Sequence, residues 1–380
     1  MKRDRKILRH MVLPVLLLGA SSGTRVLGQA QQFAGQTDRS FVNGSTPKTA
    51  RENYQRAISD YEAGRYHEAL SSLQEAVKLD PYFAIAYNSA CVVYDRLGRS
   101  AEAINSCEQA VALRPELAEA HYNLGVLYDD ANRTEEAIRS FTIALRLNPR
   151  DARAHYGLAC IYSRRGRYTD AIDDLNIAIA LRPSYAEAFN ELGVAYAQMR
   201  QYDLALGAFL RAIDRRPNEA HLFGNLASAY YFLDRDPQAL NALEKAIELQ
   251  PTFALAYAKM GQLYLRMGRY EEAVTSISRA IELDLKDATA FNDLGYAYMK
   301  LDRRQDALVE FKRAIAIEPT LVVARFNLGV LDLSLKDKDA ALEQYAVLKT
   351  LDTEVAKRLF NMIFSTSVVR AATLSLSQNK

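Results

Sequence analysis

Apolar residues recur with a helical period along most of the chain. In the stretch that begins at Ala118, the spacing i, i+3, i+4, i+7 is occupied by His121, Leu124, Gly125 and Tyr128. A second periodic stretch begins near Ala137 and stops at Pro149, because proline cannot continue the helical hydrogen-bond ladder. The pattern predicts two amphipathic helices joined by a short polar turn.

This pair of helices repeats every 34 residues. One position holds alanine nine times in succession, at Ala69, Ala103, Ala137, Ala171, Ala205, Ala239, Ala273, Ala307 and Ala341. Another holds tyrosine, at Tyr94, Tyr128, Tyr162, Tyr196, Tyr230, Tyr264 and Tyr298. A third holds proline, at Pro81, Pro115, Pro149, Pro183, Pro217, Pro251 and Pro319. A single pair cannot cover its own apolar face, so the repetition predicts a stack of neighbouring pairs.

Small residues mark where the two helices of a pair approach each other. The first helix carries one such position, at Ala57, Cys91, Gly125, Ala159, Gly193, Ala227, Gly261, Gly295 and Gly329. We expect larger Leu, Tyr and Phe side chains to fill the space on either side. After the first helix, a left-handed residue is predicted at Gly64, Gly98, Asn132, Gly166 and Gly268.

The pattern aromatic-x-x-Leu-Gly-x-x-Tyr, followed by Ala, an aromatic residue or Leu, Ala and Pro, resembles the tetratricopeptide repeat. The resemblance implies an all-α fold, a right-handed superhelix (α-solenoid) of nine antiparallel helix pairs over residues 50–355. It weakens at the ends, where Asp60 and Asp332 replace the tyrosine. Residues 353–364 are predicted to form an amphipathic capping helix, and residues 356–380 are assigned to the cap and a disordered tail.

The N-terminus has the order of features found in secretory signal peptides. A basic segment precedes the apolar run of residues 11–20, and small residues follow. The run is half of the roughly 20 residues that a bilayer requires. Residues 1–30 are therefore interpreted as a signal peptide cleaved after Gly23 or Ala30, followed by a flexible leader at residues 31–49. The alternative is an uncleaved membrane anchor.

The charges are nearly balanced, with 48 basic and 46 acidic residues. This balance gives no reason to expect nucleic acid as a partner. Arginine recurs at the turn between the helices, at Arg65, Arg99, Arg133, Arg167, Arg235, Arg269 and Arg303. A ridge of these side chains could steer an acidic partner, but the charge balance favours solvated turn residues.

No arrangement of residues indicates catalysis. His121 and His155 are 34 residues apart and occupy the slot that holds Tyr or Phe in other repeats. No further metal ligand occurs at a suitable spacing from them. The chain also shows no Ser/His/Asp set and no glycine-rich phosphate loop. The sequence therefore predicts a protein that is not an enzyme, without cofactor or metal.

Three cysteines leave two interpretations open. Cys91 and Cys107 lie on the two helices of one pair, where antiparallel packing places them roughly opposite each other. In an exported protein they could form a disulfide; alternatively, both are buried thiols that act as small apolar residues. Cys160 has no predicted partner.

In tetratricopeptide proteins the first helices line a concave groove, so residues outside the motif there are candidate ligand contacts. The candidates are Tyr54, Asn88, Tyr122, Asn123, Tyr156, Asn190, Asn225, Tyr231, Gln262, Asn292, Tyr296, Phe326 and Asn327. The spacing of the asparagines is similar to the asparagine ladder in the repeat domain of O-linked N-acetylglucosamine transferases; a common consensus choice of Asn explains it equally. The carboxylate clamp of chaperone-binding members is not supplied by any three consecutive repeats.

These features predict an exported scaffold, periplasmic or extracellular, that binds an extended peptide or a partner helix of another protein in the groove. The alternative function is a non-catalytic subunit or adaptor of an envelope enzyme or glycan-handling assembly. In that case the uncleaved N-terminal segment would tether the chain to the membrane.

Overall fold

The computed structural model describes residues 47–364. The predicted signal peptide and C-terminal tail lie outside these residues. Within them the chain is helical and contains no strand, and no helix combines the length and apolar character needed to cross a bilayer. The all-α class and the arrangement in consecutive helix pairs are confirmed.

The described chain divides into two compact units, residues 47–216 and residues 217–364. Residues 47–216 form five helix pairs: α1 (Lys48–Glu62), α2 (Tyr66–Leu79), α3 (Ala84–Arg96), α4 (Ser100–Leu113), α5 (Ala118–Asp130), α6 (Thr134–Leu147), α7 (Ala152–Arg164), α8 (Tyr168–Leu181), α9 (Ala186–Gln198) and α10 (Tyr202–Arg215). We call the odd-numbered members the first helices and the even-numbered members the second helices.

Residues 217–364 form four further pairs and a final helix. The pairs are α11 (Ala220–Phe232), α12 (Asp236–Leu249), α13 (Ala254–Met267), α14 (Tyr270–Glu282), α15 (Ala288–Lys300), α16 (Arg304–Ile317), α17 (Val322–Ser334) and α18 (Lys338–Leu351). The final helix, α19, occupies residues 353–364. Its buried Leu359 and Ile363 pack with Leu348 of α18, so α19 covers the apolar face of the last pair as predicted.

Aromatic side chains from the second helices fill the space beside several of the small positions on the first helices. Phe141 of α6 is 1% exposed. A Cβ added at Gly125 of α5 would lie 2.7 Å from its ring, and one added at Gly157 of α7 would lie 2.6 Å from it. The same ring therefore fills the space within one pair and between two pairs. Interiors packed this closely respond to the loss or gain of a single methylene.

Each turn between paired helices has one left-handed residue, which includes the five predicted ones and four others at the same register position. The positive φ values occur at Gly64, Gly98, Asn132, Gly166, Arg200, Asp234, Gly268, Asp302 and Lys336. At Asn132 (φ 58°), the following Arg133 N–H donates to the Tyr128 carbonyl at 2.7 Å, which ends α5. The left-handed residue thus reverses the chain, whether or not it is glycine.

The turn arginines are engaged within the protein. The Arg133 guanidinium lies 4.3 Å from the centre of the Tyr128 ring, and its Nε donates to Glu136 at 3.1 Å. The same stack of tyrosine, arginine and acid recurs at Arg99, Arg167, Arg269 and Arg303. Neighbouring acids therefore balance these arginines, which supports a structural role for them.

Candidate peptide-binding face on the first helices

All the residues predicted as groove contacts lie on first helices, but most of their side chains are buried. Exposure is 8% or less for Tyr54, Asn88, Tyr122, Asn123, Tyr156, Asn190, Asn225, Asn292, Phe326 and Asn327. Tyr231, Gln262 and Tyr296 are half-buried. Direct contact of these residues with a partner stays a prediction, and in the unbound chain the half-buried residues present the larger surface.

The asparagines bond to one another across neighbouring first helices. In residues 47–216, the Asn123 amide donates to Asn88 Oδ1 at 3.0 Å. In residues 217–364, the Asn327 amide donates to Asn292 Oδ1 at 2.9 Å. Each bond uses one donor and one acceptor of the pair, so these amides also hold adjacent repeats together.

A row of polar side chains runs across four consecutive first helices in residues 217–364. On α11 and α13, Lys259 Nζ donates to Ser228 Oγ at 2.6 Å and to the Gly224 carbonyl at 3.4 Å. On α13 and α15, Gln262 Nε2 donates to Asp293 Oδ2 at 2.9 Å. Asn292 donates to the same carboxylate, and it accepts the bond from α17 already described. We call this set the polar row: Ser228, Lys259, Gln262, Asn292, Asp293 and Asn327.

Two members of the polar row are buried ionisable groups with strongly shifted pKa values. Burial lowers the pKa of Lys259 to about 7. Burial also raises the pKa of Asp293 to about 7, although the hydrogen bonds from Gln262 and Asn292 act in the opposite direction. Buried side chains of this kind are costly in a fold unless they are paired or perform a task.

A small open depression lies beside Lys259, with an accessible volume of about 10 Å³, which is room for about one water molecule. Its polar wall consists of Ser228, Tyr231, Lys259 and Gln262, and Leu243 and Leu263 contribute apolar surface. The depression is much smaller than a typical ligand pocket of about 300 Å³ or more, so it suits one polar group of a ligand and not a whole small molecule.

Sequence reasoning missed Lys259 and Asp293, although the repeat register contains a signal for them. Asn225, Lys259, Asp293 and Asn327 follow one another at intervals of 34 residues. The amides of the two asparagines indicate peptide contacts. The charged residues at the two positions between them share the same register, and this register is the signal for them. Ser228, Gln262 and Tyr296 form a second register with the same interval.

Two arginines on the first helices of residues 47–216 are paired with carboxylates. Arg153 of α7 bonds to Glu119 of α5 at 2.8 Å and to Asp151 at 2.6 Å. Arg164 of α7 forms a salt bridge with Asp129 of α5. These pairs connect adjacent first helices, and each cation has its anion inside the protein.

The histidines have structural contacts. His121 Nε2 lies 2.9 Å from the Pro115 carbonyl oxygen. His155 contacts Asp174 through Nδ1 at 2.7 Å and the Pro149 carbonyl through Nε2 at 3.2 Å, so both of its ring nitrogens are occupied. Burial acts to lower the pKa of His155, but these two contacts outweigh burial and raise it.

No group of three or more His, Cys, Asp or Glu side chains within residues 47–364 is placed to hold a metal ion. Of the two interpretations for the cysteines, the structure contains the disulfide: Cys91 and Cys107 are bonded, with their Cα atoms 5.3 Å apart. Cys160 is a free thiol.

Comparison with known families supports the repeat assignment. A family profile described as the C-terminal domain of cilia and flagella-associated protein 70 matches residues 158–358, which is just over half of the 380 residues. Two tetratricopeptide repeat profiles match residues 122–186 and residues 93–131. No curated protein sequence matches the chain.

Solved structures share the fold at low sequence identity. The APC/C hetero-tetramer Cut9-Hcn1 matches with a TM-score of 0.55 and 18% identity, covering 80% of this chain and 58% of that one. A tetratricopeptide repeat protein from Parabacteroides merdae matches with a TM-score of 0.52 and 19% identity, covering 66% and 99%. The type IV pilus biogenesis factor PilW matches with a TM-score of 0.50 and 22% identity, covering 54% and 95%.

Proposed function

Because the chain belongs to the tetratricopeptide repeat family that includes the C-terminal domain of cilia and flagella-associated protein 70, we propose that it is an exported, non-catalytic scaffold. In this proposal it binds an extended segment of a partner protein along the first helices of residues 217–364. Members of this family are typically protein-interaction scaffolds. The proposal adds the compartment, the binding face and the form of the ligand.

The polar row is the observation that carries this proposal. Burying polar groups in a helical core costs stability unless hydrogen bonds compensate. Here polar side chains are buried on four successive first helices, beside a depression, so this cost applies on each of the four helices. Amide, hydroxyl and ammonium groups offer the donors and acceptors that a peptide backbone requires. A row that passes from repeat to repeat fits an extended segment better than a compact ligand.

Two observations support export. The first is the order of basic, apolar and small residues at the N-terminus, described above. The second is the disulfide between Cys91 and Cys107, since structural disulfides persist in oxidising compartments and are rare in the cytosol. N-terminal sequencing of the mature chain tests this part: a start after Gly23 or Ala30 is expected, and a cytosolic chain that starts at Met1 would contradict it.

The binding face is tested by selecting peptides from a random library on the full-length protein. We expect wild-type protein to enrich related peptides and the double variant Gln262→Ala/Asn327→Ala to bind them about tenfold more weakly. The matched control, Gln238→Ala/Asn241→Ala, removes the same two side-chain types from exposed positions on α12 and should bind normally. Equal weakening by both variants would exclude the first-helix face as the binding site.

A further inference from the structure

The Lys259 side chain is buried and contacts no carboxylate within residues 47–364. It is 6% exposed, and its acceptors are neutral: the Ser228 hydroxyl and the Gly224 carbonyl. The hydroxyl itself donates to the same carbonyl at 2.9 Å, which completes a small closed set of bonds. An ammonium has three donors, so this set leaves capacity for one further acceptor.

Several other cations of the first helices pair with a carboxylate, unlike Lys259. Arg153 and Arg164 of residues 47–216 bond to carboxylates on the neighbouring first helix. In residues 217–364, Arg266 pairs with Asp236 of the second helix α12. For Lys259, burial is the only cause of the lowered pKa, and no carboxylate of the described residues offsets it. An anion that arrives with a ligand would supply the missing partner.

The depression beside the lysine has room for about one water-sized group, such as one carboxylate oxygen of an arriving anion. Lys259 and Ser228 form one part of its wall, and Gln262 and Tyr231 form another. The polar row continues from Gln262 to Asp293 and Asn327 on the next two first helices. A peptide chain that follows the row therefore extends beyond the depression, and it would reach the lysine through a side chain.

We propose that Lys259 anchors the carboxylate of an aspartate or glutamate within the partner segment, inserted into the depression beside Ser228 and Gln262. This inference rests on the proposed function and deepens it. It names the chemistry of one residue of the bound segment, an internal acidic side chain that makes a charge-assisted hydrogen bond to the ammonium.

The test uses two random peptide libraries and the full-length chain. In the first library both peptide ends are fused to a carrier, so that no terminal carboxylate is present; in the second the C-terminus is free. We expect wild-type protein to select Asp or Glu at one fixed position from the first library. In a synthetic version with blocked ends, Glu→Gln or Asp→Asn at that position should weaken binding about tenfold.

Substitution of Lys259 tests whether this residue causes the preference for an acidic peptide, apart from peptide binding as such. In Lys259→Met, the acidic peptide and its amide version should bind within about twofold of each other. The matched control Lys245→Met removes an exposed lysine of α12 and should retain the full tenfold discrimination. Circular dichroism checks the fold, and Lys259→Gln serves as the second variant if the methionine variant does not fold.

The outcomes distinguish the two proposals. If peptides are selected without an acidic preference, or if Lys259→Met retains the discrimination, the anchor is refuted and peptide binding stands. If only the free C-terminal library yields binders, and amidation abolishes their binding, a terminal carboxylate occupies the site and our assignment is wrong. If neither library yields binders to wild-type protein, both proposals fail.

Discussion

Replacing Lys259 by methionine should stabilise the unbound protein at mildly acidic pH. Methionine has nearly the same length, and it removes the buried charge without a large change in volume. A pKa lowered from 10.5 to about 7 means that the folded state disfavours the ammonium by roughly 5 kcal/mol relative to the unfolded state. The fold tolerates this cost, which is expected of a residue retained for binding.

The net gain is smaller than the full cost because the lysine also makes hydrogen bonds. Its two bonds, to Ser228 and to the Gly224 carbonyl, contribute about 1 kcal/mol each. We therefore expect Lys259→Met to raise the free energy of unfolding by about 3 kcal/mol near pH 6. This value lies in the range found when buried charges are replaced by apolar residues, about 1 to 4 kcal/mol.

The pH dependence identifies the cause. Between about pH 7 and pH 10 the unfolded state keeps the lysine proton and the folded state releases it, so wild-type stability rises with pH relative to the variant. The advantage of Lys259→Met should shrink by about 1.4 kcal/mol per pH unit and be close to zero near pH 9. The measurement is urea unfolding followed by circular dichroism for both proteins at several pH values. A variant that is less stable than wild type near pH 6 would refute the reasoning, because the lysine would then be fully compensated inside the protein.

Three further predictions follow from the packing and the ionisable groups. Phe209→Ala removes a fully buried ring that fills the space beside a small first-helix position, and it should lower the free energy of unfolding in urea by about 3 to 5 kcal/mol. Leu204→Ala, at a 54% exposed position of the same helix, should change that free energy by less than about 1 kcal/mol. Similar effects of the two substitutions would contradict the packing. Replacing Cys91 and Cys107 together by alanine should lower the unfolding free energy by about 3 kcal/mol, and an unchanged urea midpoint would argue against the disulfide. Because the pKa of Asp293 is raised to about 7, wild-type stability should fall relative to Asp293→Asn as the pH rises from about 4 to 7; a difference that does not vary with pH would contradict the buried carboxyl.

The helix pairs and their turns could be predicted because the repeat fixes positions as well as residues. The left-handed turn residue illustrates this point. Arg200 and Lys336 have positive φ, which their side chains disfavour, and only the 34-residue register places them there. Where the register loses its proline, at Leu285, an additional left-handed residue occurs at Asp284, and the preceding helix α14 ends at Glu282.

The binding face was harder to predict because burial depends on neighbouring repeats. The sequence predicts Asn123 and Asn327 as groove contacts, but each lies within reach of an asparagine 35 residues earlier and bonds to it. The position of the Lys259 ammonium is also set by its neighbours, since the Gly224 carbonyl and the Ser228 hydroxyl on the preceding first helix accept its hydrogen bonds. A single sequence shows the register of such residues, but it does not show which of them find a partner.

Site-specific photo-crosslinking in the source cells tests the central claim most directly. A photoreactive amino acid replaces Tyr296, which is half-buried on first helix α15, or Tyr82, which is 80% exposed between α2 and α3. We predict one defined crosslinked protein, joined through an extended segment, from the Tyr296 position and none from Tyr82. Crosslinks from Tyr82 alone would contradict binding along the first helices.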